Sequence, residues 1–427
     1  MSDLITAIDL GSSKICVVVA DMDRHGRIQV LGMGRSHCGG IKKGVVVDIE
    51  ETTKAIMEAI SQAENMSNTD ITEVHINLAG GLCRLMRNKG VIAVTGEDKE
   101  ITREDVQRVM NSATIVSIPQ EEQLIDVIPT QYVVDGYDEI KDPVGMTGVR
   151  LEVDADIITG SATTVLNLIK AVNRAGVNVK GIIMEPLATS EAVLTSDAKE
   201  MGVLLIDCGA GTTDITYFKS GKIMYSNLIP VGGYHITNDI SIAFRVPFDD
   251  GEDLKIKYGS VDLDKVDVEE EYIEVNQIGS SEITSFNRGE LTEIIEARVS
   301  ELLSLIKDDL VKKDLAHNLV AGVVITGGGL SYIDGVEELA KSILGANVQI
   351  GYPKVLGANE PVYATTVGIS KYILKDKYSY HINYNNSGVE SRKPERATAD
   401  VVKTKKTSES KNSNFTKKLK TIFKDYF

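Results

Sequence analysis

Asp9, Gly11, Ser12, Ser13 and Lys14 fall within AIDLGSSK, at Ala7 to Lys14, and Asp207, Gly209, Gly211, Thr212 and Thr213 within IDCGAGTTD, at Ile206 to Asp214. Each stretch sets one carboxylate beside glycines and hydroxyls in a single turn, and 198 residues separate the two leading aspartates. Apolar runs flank both turns: Leu4 to Ile8 and Ile15 to Val19 around the first, Val203 to Ile206 and Ile215 to Phe218 around the second. That pattern predicts strand, turn, strand, not a strand feeding a helix. Such a hairpin tip gathers backbone N–H groups into a concave cluster suited to phosphate oxygens. Asp9 and Asp207, ending the incoming strands, carry the hard oxygens that hold the waters of a hydrated magnesium ion. Lys14 supplies a point charge. One such turn reads equally as an ordinary hairpin tip. Two of them, one in each half, predict a pair of tips closing on a polyphosphate.

A third glycine cluster follows a β-branched run in VVITGGGLSYIDGVEELA, at Val323 to Ala340, where Gly327, Gly328 and Gly329 precede helical spacing at Ile333, Val336 and Leu339. Glycines there allow a flat base close to the backbone, although a strand-to-helix turn of any α/β protein reads the same way. The Walker pattern GxxxxGK[ST] is absent.

These motifs need a large scaffold, and 427 residues with 42% apolar and 25% charged composition can build at least two cores. The four cysteines, Cys16, Cys38, Cys83 and Cys208, lack a CxxC spacing, so a reducing compartment is expected. His75, His235 and His317 show no ligand spacing, and no metal-ligand cluster or Ser-His-Asp arrangement is legible. Neither a secretory signal nor a bilayer-spanning apolar run is visible. A net charge of −16 argues against general nucleic-acid binding.

Charge reverses at the end of the chain. Residues 383–427 hold eleven Lys or Arg against five Asp or Glu, leaving 35 basic and 57 acidic residues elsewhere. Asn383 to Ser413 reads as a disordered linker. Beyond it Phe415, Leu419, Ile422, Phe423, Tyr426 and Phe427 share one helical stripe, with Lys417, Lys418, Lys420 and Lys424 beside or opposite it. A helix of this length, about 20 Å, is too short to cross a bilayer core of about 30 Å. It is expected to lie in the interface plane, aromatic side inward and lysines toward anionic headgroups. Docking on the protein's own body or on a partner is the alternative. At about 1 kcal/mol per lysine a single copy binds reversibly, and a polymer of many copies binds firmly.

Between Gly81 and Gly160 the chain reads as a small α+β unit. Strands are expected at Leu85 to Val94, Leu124 to Ile128, Gln131 to Val134 and Val149 to Val153, broken by Pro129, Gly136 and Pro143. Thr102 followed by Asp105 predicts a helix opened by a capping box.

Together, AIDLGSSK, EPLATS at Glu185 to Ser190, IDCGAGTTD, VVITGGGLS and ATTVGIS at Ala364 to Ser370 resemble the nucleotide-site motifs of the actin, Hsp70 and sugar-kinase superfamily. The inserted unit, with ITREDVQRV, VIPTQYVVDG and DPVGMTGVRLEVD, is similar to the subdomain peculiar to the FtsA family of bacterial cell-division proteins.

The resemblance implies an α/β, actin-like (ribonuclease H-like) fold whose two domains enclose ATP and magnesium. A first domain would comprise residues 1–80 and 161–196, interrupted by an SHS2-like insertion at 81–160. A second would comprise 197–231 and 319–382, interrupted by an insertion at 232–318. The linker, 383–413, and the membrane-targeting helix, 414–427, would follow. Phosphates would fall to Asp9, Gly11, Ser12, Ser13, Lys14, Gly209, Gly211, Thr212 and Thr213, metal or water to Asp207, and adenosine to Gly327, Gly328 and Gly329. Glu185 sits where relatives place a water-orienting residue, although a carboxylate opening a helix before Pro186 has a second rationale.

The second insertion holds an acidic stretch, Asp262 to Glu271, and a helix from about Gly289 to Lys313. The apolar face Leu291, Ile294, Ile295, Leu302, Leu305, Ile306 and Leu310 of that helix reads foremost as core. In the family this insertion receives the C-terminal peptide of the tubulin-like protein FtsZ, and Arg288 and Arg298 are candidates for its acidic groups. The implied function is an ATP-binding, self-polymerising tether that holds FtsZ at the cytoplasmic face of the membrane at the septum and helps recruit later division proteins. Any hydrolysis is expected to be slow. A PilM-type pilus-assembly protein and a small-molecule kinase of the same superfamily are the rival readings.

Overall fold

The computed structural model describes residues 4–25, 27–266, 272–279 and 283–375. The linker and tail helix read from the sequence, and part of the acidic stretch 262–271, lie outside these residues.

β1 (Ile5–Leu10) and β2 (Lys14–Met22) form the first hairpin, antiparallel with Leu10 opposite Ile15, and β3 (Ile28–His37) extends it. A small hairpin, β4 (Ile41–Lys42) and β5 (Val45–Val46), leads to α1 (Ile49–Ser67), whose first turn is capped by the Asp48 carboxylate. Ala55, Ile56, Ala59, Ile60 and Ala63 recur at helical spacing and bury one face of α1 in the core of this first lobe. The chain returns as β6 (Glu73–Leu78), parallel to β1.

An insertion then begins with β7 (Cys83–Ala93) and α2 (Arg103–Ala113), and continues through β8 (Glu122–Val134), β9 (Tyr137–Ile140) and β10 (Arg150–Ser161). Its strands pair in the order β7-β10-β8-β9, over a core of its own that includes Val109, Met110, Tyr132, Leu151 and Val153. Thr102 caps α2 in a full capping box with Asp105. Pro129 does not divide the strand as the sequence suggested: β8 runs through it with a register shift beside Ala155, a bulge that absorbs the missing N–H. The strand expected at Val149 to Val153 is likewise the start of the much longer β10.

From α3 (Ala162–Arg174) the chain re-enters the first sheet as β11 (Asn178–Met184), giving the order β11-β6-β1-β2-β3. α4 (Glu185–Val193) and α5 (Ser196–Met201) lead to the second sheet.

There β12 (Val203–Cys208), β13 (Thr213–Lys219) and β14 (Lys222–Ile229) are consecutive antiparallel strands. α6 (Gly233–Phe244), α7 (Phe248–Tyr258), the hairpin of β15 (Tyr272–Asn276) and β16 (Ile283–Asn287), and α8 (Arg288–Lys312) intervene. β17 (Val323–Thr326), α9 (Val336–Leu344) and β18 (Val348–Ile350) complete the order β14-β13-β12-β17-β18, with β17 parallel to β12 and to β18. Ile333, read as helical from its spacing, precedes α9. The two large sheets therefore share one plan: three antiparallel strands, then two parallel ones on the side of the first strand. β12 and β17 are buried along their whole length, which explains their unbroken apolar runs.

α10 (Ala364–Lys375) packs along α4, burying Ala188 against Ile369. On α8, Leu291, Ile295, Leu302, Ile306 and Leu310 are buried, as a core face requires, Ile294 is partly buried and Leu305 is exposed.

Candidate functional site

The two hairpin tips meet. A Cβ added to Gly211, in the second turn, would stand 3.3 Å from Ser12 Oγ in the first. Around them opens a cleft lined by Asp9, Gly11, Ser12, Ser13, Lys14, Glu185, Asp207, Gly209, Gly211, Thr212, Gly327, Gly328 and Gly329. The sequence nominated all of these. Thr213, also nominated, is fully buried and its hydroxyl donates to the Val231 carbonyl at 2.8 Å, away from the cleft. Gly327 has φ of +86° and packs so closely that a Cβ would lie 2.4 Å from the Cys208 carbonyl oxygen and 2.5 Å from Asp207 Oδ1. Only glycine gives this turn without strain.

Four carboxylates converge on the cleft floor: Asp9 from β1, Glu185 from the first residue of α4, Asp207 from β12 and Asp214 from β13. Asp207 and Asp214 are buried, while Asp9 and Glu185 keep some exposure to the cleft. Desolvation, with the charge of Asp207, pushes the Asp9 carboxyl up to about 7 against the hydrogen bond from Asn77. The same two causes raise Asp214 to about 7, and desolvation raises Asp207 to about 6 against a bond from Thr189. Glu185 is raised by desolvation and then by Asp214, Asp9 and Asp207. Crowded like charges in a low-dielectric floor keep their protons longer. Such a floor is also a ready receiver for a cation, through hard oxygen donors. Among the described residues no three His, Cys, Asp or Glu groups gather tightly enough to ligate one metal ion directly.

Asn77 at the end of β6 is a site residue that the sequence did not disclose. Its Nδ2 donates to Asp9 Oδ1 at 2.7 Å and to Glu185 Oε2 at 3.0 Å. Thr189 on α4 donates to Asp207 Oδ2 at 3.2 Å and shares a bond of 3.2 Å with Thr365 on α10. Toward the glycine cluster, Lys255 and Glu252 of α7 also line the cleft, paired at 2.6 Å. Burial lowers the Lys255 ammonium from its usual value, and Glu252 opposes that shift. Lys255 and Glu252 stand in an ordinary amphipathic stretch, and Asn77 in an apolar strand, so no local spacing marks them. Asp214 closes the second turn motif, and Thr365 lies in ATTVGIS, where motif positions offered a signal.

Of the two arginines, Arg298 is already engaged: it donates to Asp239 at 2.6 and 3.0 Å and pairs with Glu301. Arg288 opens α8 after the Asn287 cap. No cluster joins His75, His235 and His317.

Two equivalent sheets, each presenting a glycine hairpin to a shared acidic cleft, define an actin-like protein. Among solved structures the fold is similar to the PilM-PilN type IV pilus biogenesis complex, with a TM-score of 0.59 at 15% identity over 87% of this chain and 99% of that one. It is similar too to MreB 5 of Spiroplasma citri bound to AMPPNP, with a TM-score of 0.54 at 15% identity over 86% and 95%. Sequence carries the assignment further. The family model described as cell division protein FtsA matches residues 204–368, and that for the SHS2 domain inserted in FtsA matches residues 80–159. The cell division protein FtsA of Bacillus subtilis (strain 168) is 39% identical over 375 residues, covering 88% of this chain and 84% of the relative. The chain belongs to the FtsA family of cell division proteins.

Proposed function

We propose that this chain binds ATP with a hydrated magnesium ion between its two glycine turns, assembles with copies of itself, and tethers FtsZ to the inner face of the membrane during division. The observation that carries the reading is the convergence of Asp9, Glu185, Asp207 and Asp214 on a floor rimmed by both turns. Four acidic groups with raised proton affinity are an unfavourable arrangement unless a cation joins them, and a nucleotide's phosphates need that same cation.

Asp9 and Asp207 are the residues we assign to the ion, through its waters. The ion supplies charge neutralisation and orientation of the phosphates. Backbone N–H groups of the turns, with Ser12, Ser13, Thr212 and Lys14, receive phosphate oxygens, and Gly327 to Gly329 border the adenosine. To Glu185 we assign the orienting of a water by hydrogen bonding. The MreB relative bound to AMPPNP supports a nucleotide in a cleft of this fold.

For FtsZ, we assign the shallow groove between α6 and α8. Ile242, Ala243, Ile294 and Ala297 give it an apolar floor, and the Asp239, Arg298 and Glu301 cluster gives it a charged edge. Ile242 is 69% exposed, an apolar side chain open to a partner. The tail stripe from Phe415 to Phe427 is assigned to anionic lipid, with polymerisation making its weak grip firm.

Equilibrium binding of ATP to the purified full chain, with magnesium and again with excess EDTA, tests the cleft. The proposal expects binding that magnesium strengthens at least about tenfold, one decade being about 1.4 kcal/mol. Equal affinity in both conditions, or none, would defeat it.

A further inference from the structure

We propose that Asn77 is a positioning residue of the nucleotide cleft, a neutral clamp that holds Asp9 and Glu185 at fixed separation without discharging them. The assignment rests on the reading of the cleft as a site for ATP with magnesium.

Asn77 is buried at the end of β6, 3% exposed, and all of its hydrogen-bonding geometry is determined. Its Oδ1 accepts the backbone N–H of Leu10 at 2.7 Å, which fixes the direction of the amide, because the NH2 end cannot accept that bond. Nδ2 must then face the cleft, and its two hydrogens are both spent: one on Asp9 Oδ1 at 2.7 Å, one on Glu185 Oε2 at 3.0 Å. The three bonded groups come from two elements, β1 and α4, so that Asn77, on β6, ties three elements together.

The choice of an amide has a consequence. The Asp9 charge adds to the rise in proton affinity of Glu185, and the Asn77 bonds oppose such a rise at both carboxylates while fixing where the two groups stand. A lysine or arginine between them would relieve the repulsion by cancelling one of the two charges, and would weaken the pull on a cation. An amide donates two bonds and adds no charge. The floor is therefore ordered without any positive charge of the protein's own between the two carboxylates, which leaves them open to a hydrated cation and a positioned water. Asn77→Asp has nearly the same shape but loses both donors and adds a fifth carboxylate. Asn77→Ala removes the clamp and leaves a small gap.

The test is the dissociation constant for ATP in the presence of magnesium, measured on the full chain and on Asn77→Ala, Asn77→Asp, Glu185→Gln and the double variant Asn77→Ala with Glu185→Gln. Folding of each is checked by circular dichroism, and of the two Asn77 variants whichever stays folded is read. We expect about a tenfold loss of affinity in the Asn77 variants, the scale of hydrogen bonds to charged groups. In the Glu185→Gln background the same Asn77→Ala change should cost about threefold or less, since half of what the clamp restrains has lost its charge. A purely structural role would give equal losses in both backgrounds, and that result overturns the proposal. Folded Asn77 variants that bind within about twofold of the unaltered chain overturn it too, while leaving the reading of the cleft intact. An unaltered chain that fails to bind ATP with magnesium overturns both.

Discussion

Asp214 accepts a hydrogen bond from the backbone N–H of Gly81 at 3.1 Å, so a carboxylate of the second sheet holds the first turn of the inserted subdomain. The same carboxylate is one of the four on the cleft floor. Asp214→Asn keeps an acceptor for Gly81 and removes a crowded charge. It should raise the melting temperature of the metal-free chain by a few degrees near pH 8, and weaken magnesium-dependent ATP binding by about tenfold. Thermal melts beside nucleotide titrations check both halves.

The pH dependence of that gain has a definite sign. Asp9 and Asp214 titrate at about 7 and Asp207 at about 6 in the folded chain, against 3.8 for an ordinary aspartate. Between these values the folded chain holds protons that the unfolded chain has released. The contribution to stability is complete below about 3.8 and is lost as pH rises through 6 to 7. The advantage of Asp214→Asn over the unaltered chain should therefore shrink toward zero as pH falls to about 4. Binding of magnesium and ATP near pH 6.5 should also release protons, read by calorimetry in two buffers of different ionisation enthalpy.

Gly327→Ala places a Cβ against the Cys208 carbonyl and Asp207 Oδ1 at a φ of +86°. Strain and clash together should cost more than about 2 kcal/mol in denaturant unfolding. Nucleotide binding should fall further than stability, because Asp207 must shift.

Thr102→Ala removes half of a reciprocal cap: Thr102 Oγ1 accepts from the Asp105 N–H at 3.2 Å, and Asp105 Oδ2 accepts from the Thr102 N–H at 3.0 Å. The loss should be about 1 kcal/mol, confined to the inserted subdomain. Hydrogen exchange along α2 would show it, with α1 unchanged as the control.

What the sequence revealed was whatever lay in one local run. Both hairpins, the glycine cluster, the capping box and the core face of α8 have periods or spacings that neighbouring residues share. The strand through Pro129 was misread because a bulge depends on the partner strand β10, which no local pattern reports. Asn77, Lys255 and Glu252 reach the cleft only through long-range placement. Thr213 was misjudged within a correctly read motif, since a strand's side chains alternate and its own faces Val231.

The central claim is that nucleotide-dependent assembly converts a weak lipid grip into a tether for FtsZ. Co-sedimentation of FtsZ with anionic vesicles, in the presence of the full chain or of a version lacking residues 414–427, with ATP and magnesium or with EDTA, tests it most directly. The account predicts FtsZ in the pellet only with the full chain, and more of it with ATP and magnesium. Equal pelleting with the shortened chain, or indifference to nucleotide, would contradict it.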